Sequence, residues 1–170
     1  SYTVSATPTA YIREWLLNGY HSNTTLATRL TTDYLGGEAT AAPLVGQVQG
    51  GKTWGLRKNT TDRMDFLSIY GSSILYCATY GATYVYSPAE KDAQLWMGSD
   101  DGVKVWLNGS NVWTNDALRG CTPDQDKVAI HLKIGWNRLL VKVAQNTSNW
   151  ALIAKVCDTA GKAIPGVTVS

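Results

Sequence analysis

Few residues in this chain have the types and spacing that bond-making chemistry needs. There are only two histidines. His131 falls on the polar side of an alternating segment between Ile130 and Leu132, and His21 follows Tyr20 with no Cys or second His at metal-ligand spacing. The sequence contains no GxSxG elbow, no HExxH pair and no phosphate-binding glycine loop. Two carboxylates about 5–10 Å apart can hydrolyse a glycoside, but Asp33 with Glu38, and Asp124 with Asp126, qualify only by being acidic. Asp100-Asp101 and Asp124-Gln125-Asp126 offer the hard oxygens that calcium takes, without the spacing of an EF-hand loop. Asp100-Asp101-Gly102 is equally well read as a turn whose carboxylates bond nearby amides. The chain therefore reads as a non-catalytic protein that requires no cofactor, with room for a structural calcium.

The stronger signal is aromatic. Seven Trp and nine Tyr stand against one Phe. Sugar rings present an apolar face of C–H groups above a girdle of hydroxyls, so a site for them needs exposed aromatic planes beside polar edges. Trp54, in Gly50-Gly51-Lys52-Thr53-Trp54-Gly55-Leu56-Arg57, has glycines and cations around it and leads the candidates, with Arg57 to read hydroxyls. Trp113, among Asn111, Thr114 and Asn115, is second, and Tyr20 and Tyr34 share the irregular stretch that holds Trp54. Trp96 and Trp106 suit either an exposed position or a second layer. Trp136 in Gly-Trp-Asn and Trp150 before an apolar run read as core or edge packing.

These residues must be positioned by strands, because nearly every readable segment has period two. Val128 to Ile134 alternates, with Ala129, His131 and Lys133 outward. Asn137 to Val143 turns Leu139, Val141 and Val143 inward and Arg138 and Lys142 outward, and Gly135-Trp136 between the two segments suggests a hairpin. Gly98 to Gly102 reads as a tight reversal, and Asn108-Gly109 as a type I′ turn, giving a meander of strands near 94–97, 103–107 and 110–113. Tyr76 to Tyr86 is a further strand, with Tyr80, Tyr84 and Tyr86 on one face. Trp150 to Val156 and Ile164 to Val169 close the chain. Tyr11 to Leu17 is the best helical candidate and reads as well as a strand. Residues 19–63 are weakly periodic and form a long connection, ordered by its aromatics. The expected fold is all-β, an antiparallel sandwich or barrel.

Length and charge bound the function. At 170 residues the chain is one domain's worth of sequence. Fifteen basic against thirteen acidic residues, spread evenly, exclude a nucleic-acid stripe. The longest apolar runs are far short of the roughly 20 residues that cross a bilayer. Charged residues make up 16% of the chain, against roughly 25% in an average soluble protein, and Thr, Ser, Asn and Gly replace them, as in many extracellular β-proteins. A start at Ser1 reads as a module, residues 1–170, excised from a longer protein. Cys77, Cys121 and Cys157 allow either one bridge with a free thiol or three free thiols. Sequons occur at Asn23, Asn59, Asn108 and Asn146.

The run Leu95-Trp96-Met97-Gly98-Ser99-Asp100-Asp101-Gly102-Val103-Lys104-Val105-Trp106-Leu107-Asn108-Gly109 resembles the "GsDDG…vwlNG" signature of jelly-roll, galactose-binding-like carbohydrate-binding modules of glycoside hydrolases, and more distantly PA14 domains. Gly135 to Val143 is similar to their "GwN.llvKv" strand, and Asp33 to Glu38 with Trp54 to their N-terminal half. The resemblance spans most of residues 11–157 and implies an antiparallel jelly-roll β-sandwich in a secreted, extracellular, multidomain carbohydrate-active protein. It implies a monomeric module that binds polysaccharide (β-glucan, xyloglucan or xylan) and serves an attached catalytic domain, with no nucleic-acid or membrane partner. In PA14-type lectins an Asp-Asp pair holds calcium that contacts the sugar, and Asp100 and Asp101 match that pair. The alternative is a structural or protein-interaction sandwich packed against a neighbouring domain.

Overall fold

The computed structural model describes residues 11–22 and 25–170. Ser1 and the sequon at Asn23 lie outside the described residues. Among the described residues thirteen strands and one short α-helix follow one another, with a 3-10 turn at Glu38–Thr40: β1 (Glu14–Ser22), β2 (Val48–Gln49), β3 (Lys52–Thr53), β4 (Gly55–Lys58), β5 (Met64–Asp65), α1 (Phe66–Tyr70), β6 (Cys77–Ser87), β7 (Lys91–Asp100), β8 (Val103–Leu107), β9 (Ser110–Asn115), β10 (Asp126–Leu132), β11 (Gly135–Gln145), β12 (Ala151–Cys157) and β13 (Thr168–Val169). They form an all-β antiparallel sandwich. The larger sheet has seven strands in the order β4-β1-β6-β11-β8-β9, with β13 pairing β6; the smaller runs β10-β7-β12-β5.

Alternation builds the sandwich as expected. In β10, Asp126, Val128, Ile130 and Leu132 are buried and the residues between them exposed. Val85, Val103, Val105, Leu139, Val141 and Val143 of the larger sheet meet Leu95, Met97, Val128, Ile130 and Leu152 of the smaller. At one end Phe66 packs on Trp150, with ring centroids 5.1 Å apart. Trp150 donates its indole N–H to the Val143 carbonyl, so it is core, as its sequence context suggests. The helix carrying Phe66 is only five residues long, too short to show periodicity in sequence, and is capped by the Asp65 carboxylate.

Two expected hairpins are corrected. β7 and β8 belong to different sheets, so the Gly98–Gly102 segment carries the chain across the sandwich. β10 and β11 are likewise in different sheets, and Gly135-Trp136 opens β11 rather than forming a turn. Alternation says which face of a strand is buried, not which sheet it joins. The Asn108-Gly109 hairpin stands, with φ of 51° and 87° joining β8 to β9. Tyr11 to Leu17 contributes a strand instead of a helix. Its pairing with β6 shifts register between Leu17 and Tyr20, where Gly19 has φ 78°, so Tyr20 and Leu17 both pack on the core.

The long irregular stretch is a third layer. Leu35, Ala41 and Trp54 pack onto Leu16, Tyr80, Ala82, Trp106 and Leu140, which project from the outer face of the larger sheet. Lys142, outward by parity, is fully buried beneath this roof. Its ammonium bonds the carbonyls of Leu30 (3.4 Å) and Thr32 and the carboxylate of Glu38 (2.9 Å).

Candidate functional site

The sequence candidates do not converge. Trp54 has no exposed surface, and its indole N–H goes to Gln49 Oε1 at 3.3 Å. A ring without an exposed face has none to offer a sugar, so its expected stacking role is corrected to roof packing. Tyr34 is half-buried and stacked on His21 at 5.1 Å, with the Lys142 ammonium 5.1 Å from its ring centre. Tyr20 leans on Tyr70 at 5.7 Å and carries Lys52 over its ring. Trp113 packs against the core from β9, and its buried indole N–H has no hydrogen-bond partner among the described residues. Arg57 is exposed on β4. β4 and β9 are the two edges of the larger sheet, about 24 Å apart at roughly 4.8 Å per strand, so Arg57 and Trp113 cannot share one small site.

The exposed rings lie elsewhere. Trp136 on β11 is 57% exposed and stands directly opposite Tyr86 on β6, 37% exposed. Their ring centroids are 5.4 Å apart and their planes meet at 62°. Thr168 on β13 is opposite Tyr86 on its other side, so three strands bring Thr168, Tyr86 and Trp136 into one row on the outer face. Arg138 shares that face one row in, opposite Tyr84. Its guanidinium donates to the Thr40 carbonyl at 3.2 Å, its one side-chain hydrogen bond among the described residues. The Tyr84 hydroxyl donates to the Pro43 carbonyl at 2.9 Å. These two contacts tie the roof's margin to the sheet, and the aromatic row begins just beyond them. Parity could have found this corner: Trp136, Arg138, Leu140 and Lys142 alternate with inward Asn137 and Leu139.

At the opposite end of β7 lies the acidic junction. The Asp100–Asp101 peptide bond is cis. The Asp101 carboxylate accepts the backbone N–H groups of Arg119 (3.2 Å) and Asn146 (2.8 Å). Arg29 Nη1 approaches it to 4.0 Å from a side chain that is 2% exposed. Asp126 is forked by the Arg119 guanidinium and also accepts from Asn115 at 3.0 Å. Burial, then the charge of Asp101, pushes the Asp100 carboxyl up to about 6, with Arg63 opposing. Calcium takes six to eight oxygens, several of them carboxylate. Among the described residues no three His, Cys, Asp or Glu side chains are grouped as metal ligands. The Asp101 carboxylate is thus already engaged by two backbone amides and faces the Arg29 charge.

The other acids serve similar ends. Asp33 accepts the amides of Leu35, Gly36 and Glu38. Glu38 accepts from Tyr80 and Lys142, and Asp124 from Tyr11 and Lys155. The three cysteines are unpaired, Cys77 and Cys157 being buried. On the outer face of the smaller sheet a shallow groove of about 650 Å³ is lined by Asp92, Gln94, Ala129, His131 and Asp158. His131 bonds Asp92 at 2.7 Å and Glu90 at 2.9 Å, which raises its pKa. Trp96 on the same face has Lys127 3.9 Å from its ring centre, and Gly161 sits so close that a Cβ there would lie 2.5 Å from the ring. No Trp, Tyr or Phe ring is among the described residues that line this groove.

No family model matches the chain, and no curated protein matches it. Solved structures do. An anti-sigma factor domain-containing protein from Clostridium clariflavum superposes with a TM-score of 0.52 at 10% identity, over 92% of this chain and 44% of that one. A β-glucosidase from Kluyveromyces marxianus in complex with glucose gives 0.53 at 12%, over 88% and 16%. The PA14 sugar-binding domain from an RTX adhesin gives 0.50 at 9%, over 93% and 96%. The chain thus spans less than half of the first two structures and nearly all of the third. At these identities the likeness concerns architecture, and the architecture is a PA14-like β-sandwich.

Proposed function

We propose that this domain binds carbohydrate without catalysing its turnover, and that the Tyr86–Trp136 corner is its contact surface. The observation that carries the reading is the exposed cross-strand ring pair, with the Arg138 guanidinium and the Thr168 hydroxyl along its margins. These rings face solvent with hydrogen-bonding groups at their margins, the combination a pyranose requires. The adhesin domain of similar fold, itself named a sugar-binding domain, supports the reading by analogy. On this proposal residues 1–170 are a secreted, monomeric accessory module that holds an attached glycoside hydrolase at β-linked plant cell-wall glycan. Shallow sites of this kind bind at micromolar to millimolar level, about −4 to −8 kcal/mol, and gain avidity from companion modules.

A second reading has an observation of its own. Ile134, 71% exposed, lies two residues before Trp136. That apolar rim also suits a neighbouring domain. Native affinity gels with β-glucan, xyloglucan, xylan, mannan, pectin and an α-glucan separate the two. Retardation by one glycan, lost in Trp136→Ala and Tyr86→Ala but kept in Trp54→Phe, supports sugar binding at the corner. No retardation in any gel leaves the interface reading.

A further inference from the structure

Arginine side chains reach the Asp100–Asp101 junction from two separate segments. Arg29 comes from the turn at residues 25–32. It donates Nε–H to Asp116 at 2.6 Å and Nη2–H to the Ala117 carbonyl at 3.1 Å. Its Nη1 is buried, makes no hydrogen bond among the described residues, and points to Asp101 from 4.0 Å. A guanidinium 98% withdrawn from water is tolerated only against compensating negative charge, and Asp101 and Asp116 supply it.

Arg119 approaches from the 116–125 loop. Its backbone N–H goes to Asp101, and its fork spans Asp126, the Ser99 carbonyl (3.3 Å) and the Ser99 hydroxyl (2.9 Å). The loop that carries it is seated against β7 so tightly that a Cβ on Gly98 would lie 1.8 Å from the Thr122 carbonyl oxygen. Ser99 in turn donates its hydroxyl to the Asp101 carbonyl at 2.7 Å. Each guanidinium is therefore fixed by several partners: Arg29 faces Asp101 and Asp116, and Arg119 faces Asp126 beside Ser99.

We infer that Arg29 and Arg119 take the place a divalent cation would hold at this junction, so that the domain closes its acidic crossover with its own side chains and binds no calcium there. A dication entering the coordination sphere of Asp101 would meet the Arg29 charge at close range and would have to displace the Arg119 and Asn146 amides from that carboxylate. The same two side chains fasten the 25–32 turn to the 116–125 loop and that loop to the end of β7, the work an ion would otherwise do. This inference is independent of the aromatic corner.

Scanning calorimetry of the chain in calcium and in EDTA tests it, together with calorimetric titration by calcium chloride. About 10 mM calcium is roughly 100-fold above a 0.1 mM dissociation constant, and a site of that strength would raise Tm by several degrees. The expected result is superimposable melting curves and no saturable one-to-one heat. A calcium-dependent rise in Tm, or a one-to-one isotherm, overturns the inference. Arg119→Met should lower Tm in EDTA by several degrees, with Arg119→Lys in between because it keeps the charge and loses the fork. An Arg119→Met protein that melts like wild type would remove the guanidinium from the account.

Discussion

On the outer face of the seven-stranded sheet, Lys142 stands opposite Tyr80 and neither is exposed. Three rows along the same two strands, Trp136 stands opposite Tyr86 and both rings face solvent. The two places share strands, parity and an aromatic neighbour. They differ in what lies above them. Residues 25–58 cover the first with Leu35, Ala41 and Trp54 and end their contact at the Tyr84 and Arg138 row. A side chain's face is a property of its strand, whereas its exposure depends on a segment remote in sequence.

The largest effects should come from opening the covered region. Trp54→Ala removes a fully buried indole and should cost about 3–5 kcal/mol in denaturant unfolding, as Trp truncations in cores do. Lys142→Ala leaves Glu38, buried itself, without its cation and should cost a similar amount, about 3–5 kcal/mol. Burial depresses the Lys142 pKa and the Glu38 contact opposes that shift, so the pair is held by geometry as well as charge. Adding Glu38→Gln to Lys142→Ala should recover part of the loss. Equal losses in the single and double variants would mean that the roof is held by apolar contact alone.

Acid should loosen the same region to a smaller degree. His21 bonds Asn18 at 2.8 Å and packs on Tyr34 and Tyr80 beneath the roof. Burial, then the charges of Lys52 and Lys142, lowers its pKa from 6.5 to about 4. The unfolded chain therefore takes this proton before the folded one. Its contribution to stability is complete above pH 6.5 and is lost as pH falls from there to 4, by on the order of 3 kcal/mol at the low end. Unfolding free energies across that range should slope less steeply in His21→Phe than in wild type. Identical slopes would show that His21 charges freely in the folded state.

Much of the fold was legible in sequence, because period two survives wherever one strand face is buried. Val128 to Leu132 and Leu139 to Val143 are strands with the expected inward residues, and Asn108-Gly109 turns as its dihedral requirements dictate. Sheet membership was not legible, since β10 followed by β11 carries the same pattern whether the pair forms a hairpin or crosses between sheets. The exposure of Trp54 was misread for a related reason. Glycines beside Trp54 signal a backbone that can bend, and the bend drives that ring inward. The glycine before Trp136 marks a strand start, after which Asn137 turns inward to bond Val85, Lys133 and Gly135 carbonyls. Trp136 must then face out. Local composition described the loops, while parity held the answer for the ring.

Trp136→Ala gives the sharpest contrast, because its expected effect on stability is the smallest. The ring is more than half exposed and its main recorded partner is Tyr86, so unfolding free energy should change by no more than about 0.5 kcal/mol, as at ordinary surface positions. Binding should respond differently. An aromatic face removed from a two-ring contact surface should weaken glycan affinity at least tenfold, about 1.4 kcal/mol, with the melting curve unmoved. Trp54→Ala should show the reverse order of effects, losing stability first and binding only as the fold is lost. A Trp136→Ala protein that keeps its affinity would move the ligand away from the open corner. One that lost about 2 kcal/mol of stability would show that Trp136, like Trp54, belongs to the packing, and the two regions would then differ only in degree.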